Sequence, residues 1–97
     1  MLDVIDNLRA NREAIINAAA EHGVTNVRIF GSAARGDARP DSDVDVLVDL
    51  EPGRNLFDLG GFLMDVQDIL GRPVHVVTEG SVHWYIRDRV LQEAQPL

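Results

Sequence analysis

The stretch Asp43–Leu50 constrains the fold of this chain most strongly, because its apolar and acidic side chains alternate. One parity carries Val44, Val46, Val48 and Leu50, and the other carries Asp43, Asp45, Leu47 and Asp49. Successive side chains of a β-strand point to opposite faces of a sheet. The alternation therefore predicts a strand with one face packed on helices and one face that holds three carboxylates.

The residues on either side of this strand predict six further elements. Apolar positions spaced near 3.6 residues apart indicate helices, and short β-branched runs bounded by glycine or proline indicate strands. The helices span 2–22, Leu56–Leu70 and 82–94, the other strands are Val24–Phe30 and Val74–Thr78, and Ala33–Gly36 is a short helical turn. Gly23 and Gly71 end the first two helices, and Ser81 is predicted to cap the third.

These elements predict an α/β (α+β) protein with the order α-β-(turn)-β-α-β-α. A chain of 97 residues with 45% hydrophobic residues has room for one domain with its own core, so we expect residues 1–97 to form a single domain. Three strands are too few to close a barrel. We therefore expect a small, open, mixed three-stranded sheet covered by helices.

The composition narrows the possible partners and locations. The net charge of −7 repels phosphate backbones, so no direct binding to nucleic acid is expected, although a nucleotide held through metal ions remains compatible. The chain has no cysteine, which excludes disulfides, thiolate nucleophiles and cysteine-based zinc sites. It has no signal-peptide pattern and no membrane-length apolar run, so we expect a cytoplasmic protein without membrane contact.

Asp43 and Asp45 have the spacing of a metal site. Residues two apart on a strand point the same way, with Cα atoms about 6.5 Å apart, so their carboxylates can converge on a pair of divalent ions. Two like charges this close are unfavourable unless cations neutralise them. Carboxylate oxygens suit magnesium or manganese. The pair therefore predicts a two-metal site.

Gly31 and Ser32, at the end of the preceding strand, can offer backbone N–H groups and a hydroxyl to phosphate oxygens. Arg35 can place a permanent positive charge on the same triphosphate. A Gly-Ser turn alone is usually only a turn, and an Asp-x-Asp alone is usually a solvated strand face. The two together, one ending a strand and the other opening the next, predict a site for a nucleoside triphosphate.

The complete pattern resembles a known superfamily. It consists of Gly31-Ser32, ten residues, then Asp43-x-Asp45, with Arg35, Gly36 and Ser42 also in place. This is similar to the nucleotidyltransferase superfamily that includes DNA polymerase beta. At this length the chain most resembles the minimal nucleotidyltransferase (MNT) proteins of prokaryotes, and the similarity runs from Val24 to Leu97.

The resemblance implies a nucleotidyltransferase fold, a function and a partner. Proteins of this family are typically antitoxins that form hetero-oligomers with a HEPN-domain RNase toxin, and some transfer AMP from ATP to a toxin tyrosine. The resemblance then implies magnesium on Asp43 and Asp45, with the nucleotide on Gly31, Ser32, Arg35 and Ser42. A small-molecule nucleotidyltransferase is a further alternative, disfavoured because the chain lacks a second domain to hold an acceptor.

His75 departs from the family pattern. The superfamily usually has a third carboxylate on the strand after the middle helix, and His75 stands at that position. A histidine is a poor magnesium ligand but a possible general base. His75 therefore either replaces the base, leaves a binding module with impaired catalysis that neutralises the toxin by direct binding, or is only a hydrogen-bonded strand residue. Neither Asp49 nor Glu79 is placed to substitute for it.

Overall fold

The computed structural model describes residues 4–39, 41–82 and 84–97. In the described ranges, five helices and four strands follow one another along the chain. They are α1 (Val4–Ala10), α2 (Arg12–Glu21), β1 (Val24–Phe30), α3 (Ser32–Arg35), β2 (Val44–Leu50), α4 (Leu56–Leu70), β3 (Val74–Thr78), α5 (Trp84–Glu93) and β4 (Gln95–Pro96). None of the helices in these ranges has a stretch long and apolar enough to cross a membrane.

The four strands form one mixed sheet in the order β3-β2-β1-β4. β1 pairs antiparallel with β2 and with β4, and β2 pairs parallel with β3. The predicted mixed, open α+β fold is confirmed, but the sheet has four strands rather than three. The tail adds the fourth because Gln95 and Pro96 pair with β1 and the Leu97 amide donates to the Val27 carbonyl at 3.1 Å. An edge strand tolerates a proline, which has no N–H to donate.

The first predicted helix, residues 2–22, is two helices that meet at Asn11, and its first two residues lie outside the described ones. The Asn11 side-chain amide donates to the backbone carbonyl of Asn7 at 2.8 Å and to the side-chain oxygen of Asn7 at 3.0 Å. An asparagine that bonds to local backbone in this way competes with helical geometry. Both α1 and α2 contribute buried residues to the core.

The main core lies between the sheet and helices α1, α2 and α4. Val44, Val46 and Val48 of β2 are each 2% exposed or less. They belong to one buried cluster with residues of the three helices, including Leu8, Ile15, Phe62 and Val66. The predicted valine face is therefore confirmed. Leu47, on the opposite face, is also fully buried although it lies outside this cluster.

A β-bulge in β1 sets the directions of the side chains that lead to the turn. Asn26 has a positive φ of 50°, and the β1–β2 register shifts between Thr25 and Arg28. The extra residue changes the parity of the strand, so Val27 and Ile29 are buried with the core. Phe30 consequently lies on the same face of the sheet as the aspartates of β2.

The last helix, α5, begins later than predicted. Ser81 does not cap it, because Ser81 closes a 3₁₀ turn, Glu79–Ser81, that follows β3. The Thr78 amide donates to the Ser81 hydroxyl at 3.1 Å, and that hydroxyl donates to the Thr78 carbonyl at 2.9 Å. His83, between this turn and α5, lies outside the described residues.

Candidate active site

Three neighbouring strands bring the predicted site residues to one end of the sheet. Phe30, the last residue of β1, pairs with Asp45 of β2, and Asp45 pairs with His75 of β3. Paired residues in adjacent strands point to the same face. Asp43 precedes β2, and one of its carboxylate oxygens lies 2.7 Å from Nε2 of His75. Asp43, Asp45 and His75 therefore lie together at this end of the sheet.

Asp45 is the half-buried member of this group. Burial raises the pKa of the Asp45 carboxyl, and the Asp43 carboxylate adds to the rise, whereas His75 and Arg35 work in the opposite direction. The site thus places one carboxylate where its charge is partly desolvated and next to a second one. A bound cation would relieve both penalties, which is the electrostatic condition of a metal site.

Asp43 and His75 are more exposed, and they form a hydrogen-bonded pair. If the His75 ring is neutral and Nε2 carries the hydrogen that Asp43 accepts, the lone pair is on Nδ1. The carboxylate then holds the imidazole in one tautomer and one orientation. His75 thus lies beside both aspartates, at the place where a third carboxylate was expected.

Gly31 makes the turn that joins β1 to the short helix α3. Its backbone has φ 73° and ψ −148°, a conformation that only glycine adopts readily. A Cβ atom at this position would collide with the Asp45 carboxylate. The positive φ favours glycine here, and the backbone passes close to the Asp45 side chain. The short helix α3 begins at the next residue, Ser32.

Arg35 lies near the same end of the sheet, but carboxylates already hold it. It donates to Asp37 at 3.3 Å and to Glu93 of α5 at 3.2 Å. Hydrogen bonds to Asp37 and then to Glu93 raise the pKa of the Arg35 guanidinium. Any phosphate that Arg35 binds must therefore compete with these two partners.

Ser42 is placed differently from the other predicted nucleotide ligands. Its hydroxyl accepts a hydrogen bond from the Arg39 amide at 2.8 Å, and its carbonyl accepts one from Arg72 at 3.4 Å. These bonds shape the loop before β2 and link it to the start of β3. The predicted contact between Ser42 and nucleotide stays a prediction.

A cleft of about 340 Å³ opens between the sheet and α5. This volume is within the range of small-ligand sites. Its walls are Phe30, Gly31, Ser32, Arg35 and Asp45 on one side, and Ile86, Arg89, Val90 and Glu93 on the other. The structure thus brings four of the predicted site residues to one cavity. The contribution of α5 was missed because its residues carry only a helical pattern, with an Arg–Glu pair four apart that is typical of any exposed helix.

A second group of potential metal ligands lies on the other side of the sheet. Among the described residues, ligand atoms of Glu21, His22 and Asp65 all lie within 4.8 Å of one another. His22 and Asp65 are 2.8 Å apart and join α2 to α4. A Cβ at Gly61 would meet the His22 ring, so this glycine makes room for the contact. The contact between His22 and Asp65 is accounted for as a hydrogen bond between packed helices.

Known proteins resemble this chain in sequence. The sequence profile of the nucleotidyltransferase domain matches residues 12–97. A Methanocaldococcus jannaschii protein, provisionally named a protein adenylyltransferase, is 38% identical over 88 residues, which are 91% of this chain and 95% of that protein. The protein adenylyltransferase MntA of Thermococcus cleftensis is 38% identical over 71 residues, which are 73% of this chain and 72% of MntA.

Solved structures show the same fold. One that is provisionally described as a minimal nucleotidyltransferase has a TM-score of 0.86 and 45% identity, covering 96% of this chain and 95% of that one. A toxin–antitoxin crystal structure with AMP-PNP has a TM-score of 0.73 at 18% identity, covering 89% of this chain and 71% of that one. The resemblance seen in the sequence is thereby confirmed: the chain belongs to the nucleotidyltransferase domain family, among its minimal members.

Proposed function

We propose that this protein is the antitoxin of a toxin–antitoxin pair and transfers AMP from ATP to a tyrosine of its cognate HEPN-domain toxin. The observation that carries the proposal is the row Phe30–Asp45–His75, which places a half-buried carboxylate between the Gly31 turn and a histidine. The names of the relatives at 38% identity, protein adenylyltransferases, support the same activity. The AMP transfer would take place in the cytoplasm, where ATP is available.

The donor set fits the metal ions that such a reaction uses. Asp43 and Asp45 would hold two magnesium ions, or manganese, since hard carboxylate oxygens are the preferred ligands of both. The raised pKa of Asp45 marks a position where a positive charge is favourable. When bound, the ions would supply positive charge that stabilises the phosphate under attack and the leaving pyrophosphate.

The residues of the chain would bind the nucleotide and accept the proton of the attacking hydroxyl. Gly31 and Ser32 would hold the β- and γ-phosphates, and Arg35 the triphosphate as a whole. The tyrosine oxygen forms a bond to the α-phosphorus, the bond from that phosphorus to the bridging oxygen of the β-phosphate breaks, and pyrophosphate leaves. His75, held by Asp43 through Nε2, would take the hydroxyl proton on Nδ1.

A second candidate function is neutralisation of the toxin by binding alone. The observation that favours it is that His75 supplies a nitrogen where the superfamily has a carboxylate, and that Asp43 is already hydrogen-bonded to it. A site with two carboxylates would bind nucleotide but turn it over slowly. The chain would then act as a stoichiometric partner of the toxin.

The test is transfer of label from α-labelled ATP to the HEPN protein encoded beside this chain, with magnesium present. We expect labelling by the wild type and none by Asp43→Asn or Asp45→Asn. Asp49→Asn is the matched control, because Asp49 lies on the same strand but is paired with Arg28 outside the cleft. If the toxin stays unlabelled while its toxicity is still suppressed, the proposed AMP transfer is contradicted. Neutralisation by binding alone then remains.

A further inference from the structure

Two arginines from different elements converge on one carboxylate at the mouth of the cleft. Arg35, the last residue of α3, lies 3.2 Å from Glu93, near the end of α5. Arg89, one helical turn before Glu93, lies 3.3 Å from the same carboxylate. The Glu93 side chain is 20% exposed, whereas that of Arg89 is 73% exposed. Glu93 therefore holds two guanidinium groups while it is itself largely covered.

The position of this cluster distinguishes it from an ordinary surface ion pair. Exposed pairs contribute little to stability. All three residues line the same cleft as Gly31, Ser32 and Asp45. Arg35 and Arg89 thus both lie beside the predicted phosphate-binding turn, where Glu93 and, for Arg35, also Asp37 occupy their guanidinium groups. Ordering such a cluster at that place points to an anionic ligand.

We propose that Glu93 is an internal stand-in for the triphosphate, and that Arg89 is a second guanidinium ligand of that triphosphate beside Arg35. Without nucleotide, Glu93 holds both arginines over the cleft. When nucleotide binds, the phosphates take over the guanidinium hydrogen bonds and Glu93 is displaced from them. The inference rests on the proposed function, because it assigns further residues to the same nucleotide site.

The charges favour this exchange. Burial works to raise the pKa of Glu93, but hydrogen bonds from Arg89 and Arg35 outweigh it and lower the pKa. Glu93 is therefore ionised at neutral pH. Guanidinium groups bind phosphate oxygens in the same paired geometry that they use for carboxylates, and a triphosphate carries several negative charges instead of one. The remaining Glu93 charge repels the bound nucleotide, so it limits affinity.

Calorimetric titration with ATP and magnesium tests the proposal on three variants. Losing a hydrogen bond to a charged group costs about 1.5–3 kcal/mol, so Arg89→Gln should weaken ATP binding by roughly tenfold or more. Glu93→Gln should tighten it several-fold, because the amide keeps the shape and removes the repulsion. Arg87→Gln is the matched control, since Arg87 lies on the same helix but pairs with Glu79 outside the cleft, and it should stay within twofold of the wild type.

Two further probes separate phosphate recognition from a structural role. Tripolyphosphate should reproduce the Arg89→Gln effect, and adenosine should show none. Thermal melting of each variant reports whether the ion pairs only hold α5 in place. If Glu93→Gln both weakens ATP binding and lowers the melting temperature, Glu93 has only a structural role in holding α5, and the proposal is overturned.

The failures of the two proposals are distinguishable. If the wild type binds ATP but neither Arg89→Gln nor Glu93→Gln changes the affinity, this inference falls and the proposed function stands. If the wild type binds no ATP at saturating magnesium, the proposed function falls and this inference falls with it.

Discussion

Strand β2 contributes to both faces of the sheet, but the two faces have different roles. On the valine face, three helices cover residues that are 2% exposed or less. On the aspartate face, α5 leaves a cleft of about 340 Å³, and Asp45 is only half-buried. The difference shows that strand alternation lets β2 supply core packing from one set of positions and a polar site from the positions between them. The fold can then tolerate an unfavourable carboxylate because the opposite face provides the stability.

The largest expected effect comes from the covered face. Phe62 of α4 is fully buried in the main cluster, so Phe62→Ala should cost about 3–5 kcal/mol of unfolding free energy through lost burial and a cavity. That is a large part of the roughly 5–15 kcal/mol of a typical domain. The matched control is Phe57→Ala on the same helix, where the side chain is 90% exposed. Urea denaturation should show the loss for Phe62 alone, and equal losses would contradict the packing asymmetry.

On the aspartate face the largest effect should fall on activity. His75→Ala removes the proposed base, and a general base typically contributes 10²–10⁴-fold, so AMP transfer should fall by roughly a hundredfold or more with little change in stability. His75→Asp restores the carboxylate of the family pattern and should keep or raise the rate. Rates of label transfer under single-turnover conditions measure both. An unchanged rate of AMP transfer by His75→Ala would show that His75 is not the base and has only a structural role in β3.

Gly31 follows β1 and passes close to Asp45, so a substitution there should lower both the stability of the fold and AMP transfer. Gly31→Ala forces a side chain into a backbone conformation reserved for glycine, which costs about 1–3 kcal/mol. Its Cβ also collides with Asp45, so label transfer should be lost. Gly80→Ala, where a Cβ meets open space at an ordinary φ, is the control for denaturation. A stable and active Gly31→Ala protein would refute the close approach to Asp45.

The smallest effect is a dependence of stability on pH at Asp45. Its folded pKa is raised above the ordinary value of 3.8, so the neutral form suits the fold and the ionised form destabilises it. The Asp45 contribution is therefore favourable below the unfolded pKa and is lost as the pH rises through the folded pKa. Asp45→Asn should accordingly be more stable than the wild type at neutral pH.

Denaturation in the presence of a chelator checks this sign. The advantage of Asp45→Asn should shrink as the pH falls toward 3 and the wild-type carboxyl becomes protonated. A wild type that is the more stable protein at neutral pH, without metal, would show that the carboxylate is not strained by burial.

The sequence predicted the valine and aspartate faces because each residue of β2 carries a clear preference for burial or for water. It also predicted the Gly31 turn and, from the period of the strand, the shared face of Asp43 and Asp45. The place of His75 beside them followed from the family resemblance and not from the residues alone. It did not predict β4, because Gln95 and Pro96 become a strand only through the free edge of β1. It did not predict the role of α5 either, because the Glu93 partner Arg35 is 58 residues away in the chain.

Tandem mass spectrometry of the toxin tests the central claim most directly. The proposed HEPN partner is incubated with ATP, magnesium and either the wild-type chain or Asp45→Asn, and its peptides are then sequenced. The account predicts one or more AMP units on a toxin tyrosine with the wild type and an unmodified toxin with Asp45→Asn. An unmodified toxin in both samples, or the same AMP adduct in both, would contradict it.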